Sequence, residues 1–86
     1  MTSATFSMRI LEGKANNLMY SSSDTEGLVV VWKHSNVIIL TWEECPLGQQ
    51  YDESTYTKDE RHEFSNMDLL LEYLSANSLS IDLFVP

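Results

Sequence analysis

Cysteine is nearly absent from this chain: Cys45 stands alone among 86 residues. No intramolecular disulfide can staple the fold, so a reducing, cytoplasmic setting is expected. Glycine is scarce as well. Gly13, Gly27 and Gly48 are the only three, and none belongs to a G-x-G or P-loop pattern that would cradle a phosphate. Basic residues number five, Arg9, Lys14, Lys33, Lys58 and Arg61, and they are scattered among thirteen acids. The basic stripe that direct nucleic-acid binding needs is therefore missing. No apolar run approaches the ~18 residues of a membrane span. The opening MTSATFSMRILEGKANN has neither the basic nor the apolar region of a signal peptide.

Ligand spacings are missing too. His34, His62 and Cys45 fall into no C-x-x-C or H-x-x-x-H arrangement. The acidic doublets lack the D-x-[DN]-x-[DN]-G order of a calcium loop. The expectation is a protein with no catalytic residue, no metal and no cofactor, hence not an enzyme.

What is present argues for a folded domain. The chain is 43% hydrophobic and carries two Trp, four Tyr and three Phe, which offsets a formal charge of −8 as a predictor of disorder. At this length one modest core is the ceiling, so residues 1–86 are read as a single small acidic α+β domain.

The dominant element is Leu28–Trp42, LVVVWKHSNVIILTW. Its continuous β-branched runs predict a β-hairpin apolar on both faces. With an even loop, one face carries Val30, Trp32, Val37, Ile39 and Thr41. The other carries Val29, Val31, Ile38, Leu40 and Trp42. Around it, period-two alternation of Phe6, Met8 and Ile10 predicts a strand leaving at Glu12-Gly13-Lys14. Leu18-Met19-Tyr20 and His62-Glu63-Phe64 predict short strands. Met67, Leu70, Leu71 and Leu74 stand at helical spacing, so one C-terminal helix is predicted over about residues 66–76. Ser65 with Asp68 would open it as a capping box, and Asn77 would close it. Leu79, Ile81, Leu83 and Val85 alternate as a last strand over 79–85. The sum is a mostly antiparallel sheet of five to six strands with one helix across it, or else a small barrel plugged by the helix.

One helix of about twelve residues spans roughly 18 Å and covers one sheet face at most. Leaving a second apolar face wet forgoes about 1.5–3 kcal/mol per large side chain. That face is expected to be buried by curling of the sheet, by a second copy in a homodimer, or by a partner. Val29, Val31, Ile38, Leu40 and Trp42 are the candidates for it.

Seven of the thirteen acids lie within Glu43–Glu63, against two bases. Three doublets, Glu43-Glu44, Asp52-Glu53 and Asp59-Glu60, are interleaved with Tyr51 and Tyr56 and followed by Glu63. Residues Glu43–Arg61 are read as a long polar loop. Tyrosine adds rigid contact area with a polar tip, so acid plus tyrosine suits a surface that recognises a basic or nucleic-acid-binding protein. The functional expectation is a non-enzymatic protein-interaction module. An inhibitor or adaptor that occludes a basic surface would fit by analogy of size and charge with immunity proteins, antitoxins and phage counter-defence proteins. Two alternatives stand beside it. One is a small-molecule binder with Trp32 or Trp42 in the pocket wall. The other is an accessory subunit of a larger complex.

Overall fold

The computed structural model describes residues 1–86. Four antiparallel strands, β1 (Asn16–Ser21), β2 (Thr25–His34), β3 (Val37–Pro46) and β4 (Lys58–Phe64), form an open sheet in the order β1-β2-β3-β4. Helices α1 (Ser3–Leu11) and α2 (Met67–Ala76) flank it in sequence.

The first helix replaces a predicted strand. Thr2 caps it, its hydroxyl accepting from the Thr5 N–H at 3.1 Å. Phe6 and Ile10 satisfy both a two-residue and a four-residue period, and both are fully buried. Met8 separates the alternatives: it is 56% exposed, off the core side of the helix. Glu12-Gly13-Lys14 is the helix exit. Gly13 adopts φ +81°, the Gly13 N–H bonds to the Ile10 carbonyl at 3.0 Å, and the Lys14 N–H bonds to Arg9 at 2.8 Å. That pairing is a Schellman motif, and it calls for glycine at the left-handed position.

The same motif closes α2, with Ser78 at φ +58° and the Leu79 N–H bonded to the Leu74 carbonyl at 2.9 Å. The helix opens one residue later than the sequence suggests. Asn66 is the cap, its side-chain oxygen accepting from the Leu69 N–H at 2.9 Å, while Asp68 sits in the first turn.

Strands β2 and β3 pair from Thr25↔Pro46 to His34↔Val37 around the two-residue turn Ser35-Asn36. Ser35 takes φ +57°, the positive φ that primed hairpin turns require. The loop is even, so cross-strand partners share the faces expected for that case. Val29↔Trp42 and Val31↔Leu40 point one way; Val30↔Thr41 and Trp32↔Ile39 point the other.

The core lies on the first of these faces. Phe6 and Ile10 of α1, Leu70 and Leu74 of α2, and Leu79 and Phe84 pack there against Leu18, Val29, Val31, Ile38, Leu40 and Trp42. This corrects one expectation. Val29, Val31, Ile38, Leu40 and Trp42 are no more than 8% exposed and belong to the internal core rather than an outward face. The cause is α1, a second cover that alternation concealed.

The last predicted strand is also replaced. Residues Ile81–Leu83 form a 3-10 turn, and only Val85 pairs with the sheet, through two 2.7 Å bonds with Asn17. Leu79 and Phe84 are the buried residues of this segment, whereas Leu83 and Val85 are 63% and 49% exposed. A spacing of five fits neither a strand nor a helix.

Asn16 is the one buried polar side chain of the core. Its amide donates to the Phe6 carbonyl at 3.0 Å, and its oxygen accepts from Arg9 Nε at 2.8 Å. These bonds lock α1 to β1, and they leave no buried side-chain polar atom unpaired.

Candidate functional site

Both helices and the C-terminal turn sit on one side of the sheet. The other side, here the open face, carries no helix. Strand alternation and register place Met19 of β1, Leu28, Val30 and Trp32 of β2, and Val37, Ile39 and Thr41 of β3 on it. Leu28, Val30, Trp32 and Val37 are partly exposed, and Met19 is 74% exposed. Ile39, paired with Trp32 on one side and Glu63 on the other, is the best shielded at 4%.

The sheet edges are protected. Val85 occupies part of the β1 edge, and β4 reads Lys-Asp-Glu-Arg-His-Glu-Phe, charged or polar at all but its last position. Charged edge strands resist strand addition. The large apolar surface that the sheet leaves uncovered is therefore the face, not an edge.

The acidic stretch is not one loop. Glu43 and Glu44 are strand residues of β3, and Asp59, Glu60 and Glu63 belong to β4. Alternation divides them. Glu43, Asp59 and Glu63 point to the open face, while Glu44 and Glu60 point to the helix side. Only Tyr51, Asp52, Glu53 and Tyr56 lie in the connection. There Asp52 caps the 3-10 turn Glu53–Thr55 through Ser54, and the Tyr56 hydroxyl donates to the Gln50 carbonyl at 2.6 Å. The connection is tied back to β3 by the Thr57 N–H on the Glu44 carbonyl at 2.8 Å.

Folding brings part of the expected set together and adds residues that the sequence did not single out. Glu43, Tyr51 and Tyr56 meet Met19, Glu26 and Leu28 around a cleft of about 460 Å³ at one end of the open face. Glu26 and Met19 had no local signal; only the register of β1 on β2 and β2 on β3 aligns them with Cys45 and Glu43. Tyr51 stands 93% exposed at this cleft. Cys45 lines the floor at 4% exposure, its sulfur 3.9 Å from Glu26 Oε1. Burial pushes its thiol up, and Glu26 and Glu43 push it further. A thiol so held stays protonated and is a poor nucleophile. Burial, then Glu43 and other nearby acids, likewise raises the Tyr56 hydroxyl.

On the helix side, Tyr20, Trp42 and Glu44 form a chain. Trp42 Nε1 donates to the Tyr20 hydroxyl at 2.9 Å, which donates to Glu44 Oε1 at 2.6 Å. Burial and Glu44 raise the Tyr20 hydroxyl, so it remains the donor near neutrality. Lys58 Nζ lies 3.6 Å from the centre of the Trp42 ring.

Glu60 accepts from His62 Nε2 at 2.8 Å, and His62 packs on Tyr73 of α2. This bond holds the Glu60 carboxyl below its ordinary value, with Lys58 assisting. A depressed carboxyl contributes stability above its unfolded pKa, about 4.3, and loses that contribution as pH falls through the folded value. The His62→Phe variant should therefore return the Glu60 midpoint toward 4.3, and part of the stability lost below about pH 4 in the native chain should disappear. A carbon-detected NMR titration of the Glu60 carboxyl checks this; an unmoved midpoint would refute the assignment.

No cluster of three or more His, Cys, Asp or Glu side chains is arranged to hold a metal ion. No helix is long and apolar enough to cross a membrane. Comparison of the chain with family models, with curated proteins and with solved structures found no match in any of the three.

Proposed function

We propose that this protein acts by contact rather than catalysis, docking its open face on a basic surface of a partner protein. The observation that carries the reading is the composition of that face. Leu28, Val30, Trp32, Val37 and Ile39 form an apolar centre, and Glu26, Glu43, Asp59 and Glu63 stand around it, with Arg61 as the only base. An apolar, aromatic centre inside a charged rim is the usual anatomy of an interface. Four strands about 4.8 Å apart, two of ten residues and two of six and seven at about 3.4 Å each, give a face of roughly 550 Å², below the ~800 Å² per partner of a standard complex and in the range of transient ones. The molecule's long axis, 33 Å, matches the length of the longer strands.

Charge selects the kind of partner. Two copies meeting face to face would bring like-charged rims together, each on a chain of net charge −8. A basic surface would instead be steered in quickly. An inhibitor or adaptor that covers a basic active site or nucleic-acid groove fits this chemistry.

The test uses the immobilised full chain to retrieve a partner from cells of its source, followed by titration of the purified pair. Trp32→Ala removes the central aromatic and is expected to weaken the complex by about thirtyfold or more. Reversing Asp59 and Glu63 to lysine should slow association and flatten its salt dependence. A partner that binds Trp32→Ala as tightly as the native chain, or a stable homodimer formed through this face, would overturn the reading.

A further inference from the structure

We propose that the cleft at the end of the open face is a receptor for one arginine side chain of the docking partner. The inference rests on the docking reading and specifies what the partner presents. The cleft holds about 460 Å³. That is toward the small end of the ~300–1,000 Å³ range of ligand sites, with room for a long side chain and the backbone that presents it.

Its walls match the two halves of such a side chain. Met19, Leu28, Tyr51 and Tyr56 offer apolar and aromatic surface to a methylene stem. Glu26 and Glu43 supply the charge. Glu26 pairs with Cys45 and Glu43 with Leu28, so the two acids are diagonal neighbours on one face. Such positions stand about 7–8 Å apart at the backbone, and flexible carboxylates can converge on one guanidinium between them. A planar fork can address both while stacking on a tyrosine ring; a lysine ammonium is a point charge that meets one well.

The chain does not neutralise this cleft itself. Its four ion pairs use Glu12, Glu60 and Glu63, never Glu26 or Glu43. Its cations are engaged elsewhere. Arg9 is held by Asn16 and Ala15, Lys14 by Glu12, Lys58 lies over Trp42, and Arg61 pairs with Glu63. Lys33 belongs to the helix side of β2, opposite Ile38. The raised Cys45 and Tyr56 groups stay neutral, so the two glutamates set the charge that a guest meets. A wall that is apolar and a rim that lacks its counter-ion together call for a cation with a hydrocarbon stem.

The experiment is an NMR titration of the full chain with the peptide Ac-Ala-Arg-Ala-NH2 and its lysine, citrulline and norleucine counterparts. The arginine peptide is expected to give saturable shifts at Leu28, Cys45, Tyr51 and Tyr56. Citrulline, which keeps the shape and loses the charge, should bind at least about tenfold more weakly, and lysine should lie between them. Glu26→Gln and Glu43→Gln should each cost several-fold. Tyr51→Ala, at a site too exposed to matter for folding, should weaken binding as well. Equal binding of arginine and citrulline, shifts spread over Asp59 and Glu63 alike, or no saturation would overturn the inference. Trp32 lies on the face but outside the cleft, so Trp32→Ala should leave the peptide titration unchanged. A partner complex sensitive to Trp32→Ala and indifferent to Glu26→Gln with Glu43→Gln would remove the cleft assignment and spare the docking face. Peptide binding that persists when the partner ignores Trp32 would do the reverse.

Discussion

Phe84→Ala is expected to lower the unfolding free energy by about 3–5 kcal/mol, the cost of a large aromatic deleted from a well-packed core. Phe84 is fully buried although it lies near the end of the chain. Its ring meets Phe6 edge to face, centroids 5.1 Å apart and planes at 71°, an arrangement that adds to simple area burial. Through that contact the turn Ile81–Leu83 is pinned on α1, and Val85 is delivered to the β1 edge. A domain of this size has on the order of 5–10 kcal/mol of stability, so the variant should spend much of its time unfolded in mild urea. Equilibrium denaturation should give a lower midpoint with an unchanged slope. Leu83→Ala, next door at 63% exposure, serves as the control and should fall within about 0.5 kcal/mol of the native chain. A loss under about 1 kcal/mol for Phe84→Ala would mean that the C-terminal turn is not part of the core at all.

Phe84 also marks where residue pattern ceases to be informative. The alternation from Leu79 to Val85 is genuine in the sequence and has no role in the fold. A single isolated bridge at Val85 and the packing of Phe84 on Phe6 decide that segment, and both are contacts across most of the chain length. The first helix fails for a related reason. Phe6 and Ile10 fit two periods at once; the cap at Thr2 and the Schellman exit at Gly13 were the local signals that favour a helix. By contrast, the hairpin and α2 were legible. Ten-residue strands around a two-residue turn leave the β-branched runs no other economical pairing, and Leu70 with Leu74 marks the buried stripe of the helix.

Most of the acidic stretch reads as a loop in sequence because its strand is an edge strand. In β4 the inward positions are Lys58, Glu60, His62 and Phe64, only one of them apolar, so no hydrophobic alternation marks it. Pairing with β3 makes it a strand regardless of propensity. That lack of alternation matters for function. It hid the division of the acids between two sides of the sheet, and with it the fact that Glu43 and Glu26 face a common cleft. Area arguments from the hairpin do point to a sheet face in need of cover. Which face it is depends on α1, and with α1 in place the need passes to Leu28, Val30, Trp32, Val37 and Ile39.

The second large effect is expected at Gly27, on the helix side of β2. Gly27 pairs with Tyr20 on one side and Glu44 on the other, and the Tyr20 ring lies across it. A Cβ at this position would clash with the hydroxyl end of that ring, at Tyr20 Cζ. Glycine is required here by close approach, not by a left-handed backbone. Gly27→Ala must therefore displace Tyr20, and with it the hydroxyl that joins Trp42 Nε1 to Glu44. Overpacking costs about 1–3 kcal/mol. A nearly buried indole N–H left without its acceptor adds about 1–3 kcal/mol. A loss of roughly 2–6 kcal/mol is expected in total. Tyr20→Phe should cost only the hydrogen-bond part, about 1–3 kcal/mol. Once Tyr20 is alanine, the added methyl has nothing to strike, so Gly27→Ala in that background should cost well under about 1 kcal/mol. Denaturation of the four chains forms a double-mutant cycle, and additive losses would show that Tyr20 is not what the methyl meets.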